Sequence, residues 1–341
     1  MVESNQTPKK IELVCPAGSP AALIAAVDSG ADCVYIGFRG NTNARNFAGL
    51  NFYEVSAWES IGYAHLKGVK IFLVLNTYPQ AENWASWTRA VDQAAEMGVD
   101  AVILADAGLM AYAAKTHPQL RLHLSVQASA TNYEAINFYH EAFGIKRAVL
   151  PRVLTLAQVE AVIQNTPVEI ELFGFGGLCV MVEGRCALSS YVSGEAPNMS
   201  GACSPGQHVR WGKTPKGLET RLNEVLVNRF GDDEQAGYPT LCKGRFEVED
   251  ETYYAFEEPA SLNTMEMLPQ MLAMGVAAIK IEGRQRSVAY VTQVTRTWRA
   301  AIDACVRDTS AYAVKDEWLA AMNKVAEGSQ HTLGAYHRPW K

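Results

Sequence analysis

Four cysteines in the second half of the chain, Cys179, Cys186, Cys203 and Cys242, stand as C-x6-C-x16-C-x38-C in glycine-rich surroundings. Their flanks read Phe-Gly-Phe-Gly-Gly-Leu-Cys179, Glu-Gly-Arg-Cys186, Gly-Ala-Cys203-Ser-Pro and Tyr-Pro-Thr-Leu-Cys242-Lys-Gly. Four thiolates can hold one 4Fe-4S cluster, and glycines let the backbone close round it and offer N–H groups to the sulfides. Such a site would do redox or radical-type chemistry. Structural zinc sites use paired C-x2-4-C knuckles, and this pattern has none, so iron–sulfur stands ahead of zinc. The competing reading is a set of separate buried thiols, since free cysteine is among the most buried residue types. Spacing alone leaves both open.

Something must bring these positions together. At Gly30, Gly68, Gly98, Gly144 and Gly275 a helical stretch ends at glycine and an apolar strand follows within a few residues. Glycine suits the left-handed position that closes a helix, and near-continuous apolar strands suit a parallel sheet covered on both faces. Between them lie amphipathic stretches such as 83–97, where Trp84, Trp87, Val91 and Ala94 share one helical stripe. Strands are expected near 11–15, 33–38, 70–75, 101–105, 120–126, 147–151, 169–174 and 277–282. Eight alternating units favour a closed (β/α)8, TIM-barrel-like fold over an open doubly wound sheet. The regularity breaks between Gly174 and Ser261. We read 175–261 as a cysteine-rich, cluster-binding insertion after the seventh strand, ahead of a helix at 264–274. It leaves from the carboxyl end of a strand, the face where barrel enzymes build their sites. The organisation is then a leader at 1–10 and a barrel domain over 11–341.

Arg45, Asn76, Gln127, Arg152, Glu282 and Arg284 all follow strands, so a barrel would gather them round its mouth. There they could bind a dicarboxylate or orient a ring. Arg45 and Arg152 are the leading candidates, because a guanidinium fork can bond both oxygens of a carboxylate. Ion pairs and loop hydrogen bonds are the structural alternative. Cys15, Cys33 and Cys305 read as structural: Cys33 and Cys305 as buried small hydrophobes, while Cys15, beside Pro16 at the end of the first strand, has facing the mouth as its alternative. The seven histidines show no metal-ligand spacing.

With 341 residues, 48% hydrophobic and 19% charged, the composition is that of a folded globular protein. No apolar run approaches the ~18 residues that read as a membrane span. The first ten residues lack the apolar core of a signal peptide, so a reducing, cytoplasmic setting is expected, and the odd count of seven cysteines suits one. A net charge of −6 offers nucleic acid no general attraction.

The motifs Leu-Val-Cys15-Pro-Ala-Gly18, Asn43-Ala-Arg45-Asn-Phe-Ala-Gly49, Val126-Gln127-Ala-Ser-Ala-Thr-Asn132, Leu150-Pro-Arg152, the cysteine segment and Ile281-Glu-Gly-Arg284 resemble the collagenase-like "U-class" peptidase family. Gly-Leu-Asn-Phe52, Glu-Gly-Arg-Cys186-x-Leu-Ser-Ser-Tyr191 and Thr-Leu-Gly-Ala-Tyr-His337 are most similar to its branch in oxygen-independent ubiquinone hydroxylation. The resemblance implies a 4Fe-4S cluster on the four cysteines and a heterodimer partner, UbiV, from the same family. It also implies prephenate as hydroxyl donor and the aromatic ring of a ubiquinone precursor as acceptor, with a lipid-binding accessory protein as a further candidate partner. Relatives that hydroxylate RNA bases give one alternative, and a non-catalytic subunit carrying a cluster gives another. Peptide hydrolysis is not expected. The chain has no Gly-x-Ser-x-Gly elbow, and His140-Glu141 lacks the second histidine of a zinc protease helix.

Overall fold

The computed structural model describes residues 10–47, 49–179, 186–234, 236–328 and 330–337. Residues 1–9 of the expected leader, and the Glu-Gly-Arg ahead of Cys186, lie outside them. Strands β1 (Glu12–Pro16), β2 (Cys33–Ile36), β3 (Lys70–Leu75), β4 (Ala101–Leu104), β5 (Leu122–Leu124), β6 (Arg147–Val149) and β7 (Glu169–Gly177) come first. Helices Pro20–Asp28, Glu54–Leu66, Trp84–Glu96, Ala107–Thr116, Tyr133–Phe143 and Leu156–Gln164 lie between them. Side chains of Ser19, Asp106, Asn132 and Thr155 accept backbone N–H groups at the starts of four of these helices. The five repeat glycines close theirs with φ of 98, 72, 67, 71 and 88°.

The insertion then carries β8 (Val209–Thr214), β9 (Gly217–Leu222) and β10 (Val225–Phe230) in one antiparallel sheet, and β11 (Arg245–Val248) with β12 (Glu251–Tyr254) in another. Leu222, Val227 and Leu241 form its small core. Beyond it come β13 (Ala260–Asn263), β14 (Ala278–Ile281) and β15 (Gln330–Thr332). β14 pairs in parallel with both β7 and β1, closing an eight-stranded parallel barrel in the order β1 to β7, then β14. The chain thus forms a (β/α)8 barrel of the TIM type.

The alternation of strand side chains explains the apolar runs. Leu13, Ile71, Leu73 and Leu172 face the helices, while Val14, Phe72, Val74 and Ile103 fill the barrel. Charge also enters the interior. Arg147 bonds Glu12 at 2.6 Å and Glu171 at 3.4 Å, and Glu171 bonds Lys280 at 2.7 Å.

Two local expectations are corrected, and one alternative is settled. β7 runs on to Gly177, where its end pairs antiparallel with β13, so the insertion returns through a strand, and β15 extends this flap. The helix that follows is Leu268–Met274, preceded by a 3-10 turn at Met265–Met267, with Pro269 in the first turn, where its missing N–H costs nothing. Cys15 is structural, buried and away from the mouth. Its sulfur accepts a hydrogen bond from Thr295 at 3.2 Å, beneath helix Val288–Arg307. Of the aromatic stripe, Trp87, Val91 and Ala94 are buried, while Trp84 stays at the surface edge-on to Tyr112.

Candidate functional site

At the carboxyl ends of the barrel strands, a cavity of about 590 Å3 lies between barrel and insertion. All four cysteines of the spaced set line it, and so do Arg45, Asn76, Gln127, Arg152, Glu282 and Arg284. The other three cysteines are fully buried elsewhere.

Each cysteine arrives by its own local device. Cys179 lies two residues beyond the end of β7, and Cys186 just ahead of the short helix Leu188–Ser193. Cys203 follows the turn that ends helix Pro197–Ser200 at Gly201, and Cys242 is the middle residue of a 3-10 turn. Gly201 has φ 83°, and a Cβ there would come within 2.6 Å of the Asn43 carbonyl oxygen. This close approach seats the insertion on the loop after β2, where the Arg45 N–H donates to the Gly201 carbonyl. The Tyr78 N–H likewise donates to the Asn198 carbonyl at 2.9 Å. Beside Cys242, Lys243 pairs with Glu327 at 2.8 Å.

The electrostatics tie the sulfurs to the barrel. Burial, and then the nearby Cys179, Cys203 and Cys186 sulfurs, push the Cys242 thiol up to about 12. Burial opposes the charge on Arg45, but Glu282 and the Cys203 and Cys179 sulfurs outweigh it and raise its pKa. Arg45 Nε donates to Glu282 Oε1 at 3.3 Å. Burial would raise the Glu282 pKa, yet Arg45 and Arg152 hold it below the usual carboxylate range.

The other candidates divide by what already engages them. Arg284 is buried, donates to Asn43 Oδ1 at 2.8 Å and to the Ala44 carbonyl, and is drawn down to about 10 by burial. Asn76 accepts from the Ala44 N–H and donates to Ser125 Oγ, each at 2.9 Å. Both hold loops. Arg152 lies 4.1 Å over the Phe173 ring and donates to the Gly177 carbonyl at 3.0 Å. The Gln127 carbonyl accepts from Tyr78, and its side-chain amide lines the cavity without a hydrogen bond among the described residues. Lys280 also lines the cavity, 4.1 Å over the Tyr35 ring. Sequence reasoning passed over it, although one lysine in the apolar run Ala-Ala-Ile-Lys-Ile was a signal.

The donor set suits an iron–sulfur cluster. Four half-buried sulfurs share one cavity, and thiolate sulfur is the donor type that holds iron–sulfur clusters. Among the described residues, no three His, Cys, Asp or Glu side chains close round a single ion. A four-iron cluster asks for a wider set, one sulfur to each iron.

The model of peptidase family U32 matches residues 18–339 of this chain. The chain belongs to peptidase family U32. One relative is the "tRNA hydroxylation protein P1" of Bacillus subtilis (strain 168), 30% identical over 321 residues, covering 93% of this chain and 69% of that protein. Another is the "tRNA hydroxylation protein P" of Escherichia coli (strain K12), 32% identical over 315 residues, covering 86% and 68%. A Methanocaldococcus jannaschii protein named as an uncharacterized protease is 33% identical over 333 residues, covering 96% and 73%. The family name speaks of peptidases, while two of these three relatives are named for hydroxylation.

Proposed function

We propose that this chain is a UbiU-type iron–sulfur component of an oxygen-independent hydroxylation system, paired with UbiV in the cytoplasm, and that its acceptor is the aromatic ring of a ubiquinone precursor. Prephenate is the hydroxyl donor in this reading, and a lipid-binding accessory protein presents the precursor. The observation that carries it is the convergence of Cys179, Cys186, Cys203 and Cys242 on one cavity at the barrel mouth. Bound there, a 4Fe-4S cluster supplies electron transfer that side chains cannot. The chain's own residues do the rest. Tyr35, Val74, Ile103, Val149 and Phe173 give the deep wall an apolar surface that suits a ring, and Arg152 and Lys280 offer cations to carboxylate or ring oxygens. The insertion over the mouth limits the access of water.

Hydroxylation of an RNA base is the second reading, favoured by the names of the two tRNA hydroxylation relatives. The net charge of −6 weighs against it. The test is an anaerobic assay of the chain with UbiV and prephenate, offering either a ring precursor or tRNA. We expect hydroxylated ring from the pair and none from either protein alone. Hydroxylated tRNA with the ring untouched would overturn the proposal in favour of the second reading.

A further inference from the structure

Arg45 and Glu282 meet where the barrel joins the cysteine-bearing insertion. Glu282 follows β14 and lies against the end of β7, so close that a Cβ on Gly176 would come within 2.6 Å of the Glu282 Cβ. Gly176 is three residues ahead of Cys179. Arg45 reaches the same point from the loop after β2, its own N–H bonded to Gly201, two residues ahead of Cys203. Its Nε donates to Glu282 Oε1 at 3.3 Å. The cation therefore lies between the two segments that deliver Cys179 and Cys203, with the anion beside it. Adding an electron to a cluster adds negative charge. A fixed cation nearby favours the reduced form, and a fixed carboxylate disfavours it.

We propose that the Arg45–Glu282 pair sets the reduction potential of a cluster held by the four cysteines, the arginine raising it and the glutamate restraining it. The inference rests on the cofactor reading given above. Lys243, the described cation adjacent to Cys242, is matched by Glu327 at 2.8 Å. Arg152 and Arg286 also act on Glu282, so the carboxylate keeps cationic neighbours when Arg45 is removed.

The test is an anaerobic dithionite titration with redox mediators, followed by absorbance and electron paramagnetic resonance, on the full chain after iron and sulfide have been counted. In Arg45→Met the reduction equilibrium should shift about tenfold toward the oxidised form, or about 59 mV for a one-electron couple. Glu282→Gln should shift it by a similar factor in the opposite sense. Arg45→Lys, which keeps the charge, should stay within about threefold of wild type. If Arg45→Met does not retain its iron, the sign of the Glu282→Gln shift decides. Full clusters with unchanged potentials in both Arg45→Met and Glu282→Gln would overturn the inference. A wild-type chain that takes up no iron would instead overturn the cofactor reading and the inference with it.

Discussion

Glu171 and Lys280 share the barrel interior, and Arg147 links them to Glu12 at the opposite end from the cavity. Removing charges from water is costly, so such groups persist only when each meets a partner. Burial draws the Lys280 pKa down, and Glu171 only partly restores it. For Glu12, burial acts to raise the pKa, but hydrogen bonds from Lys70 and Arg147 prevail and lower it from 4.5 to about 2. A carboxyl depressed in the folded state stabilises the protein above its unfolded pKa. That stability is lost as the pH falls through the folded one. Glu12→Gln should therefore cost on the order of 2–3 kcal/mol at neutral pH. The gap between wild type and variant should close as the pH falls from 4.5 to about 2. Urea unfolding of both proteins across that range checks this, and a gap independent of pH would contradict it.

At the scale of the element, the end of β7 does two jobs. It pairs with β13 and β14 at Phe175, and it delivers Cys179 to the cavity. Gly176 makes this feasible, with φ 131° and no room for a Cβ against Glu282. Gly176→Ala should cost about 1–3 kcal/mol and weaken iron loading together. A variant with wild-type melting temperature and full iron would refute that link. Five of the eight barrel strands were legible because two independent signals, the glycine helix ends and the apolar runs, pointed to the same positions, and the other three were legible from their apolar runs alone. The β7 extension was not legible, since Phe-Gly-Phe-Gly-Gly reads as a turn until β13 is there to pair with it. The convergence of the candidate residues on one cavity was legible, because strand ends of a barrel converge. Individual roles were not. Arg284 and Asn76 are engaged by Asn43 and Ala44, and such contacts depend on which loops meet. Lys280 went unread because its partner Glu171 lies 109 residues away in the chain.

The whole molecule is a barrel with one strand–helix connection enlarged into a cover for its own mouth. The cover brings sulfur, the barrel brings arginine and lysine, and the cavity is the boundary between them. No helix among the described residues is long and apolar enough to cross a membrane. The central claim is that four cysteines form one cofactor site. Iron and sulfide should be counted in anaerobically purified wild type and in Cys179→Ala, Cys186→Ala, Cys203→Ala and Cys242→Ala, singly and in pairs. Cys33→Ala and Cys305→Ala serve as controls. We predict about four iron and four sulfide in wild type and in the controls, and a cluster lost or crippled in every member of the first set. Full iron and sulfide after the loss of two of the four would contradict the account.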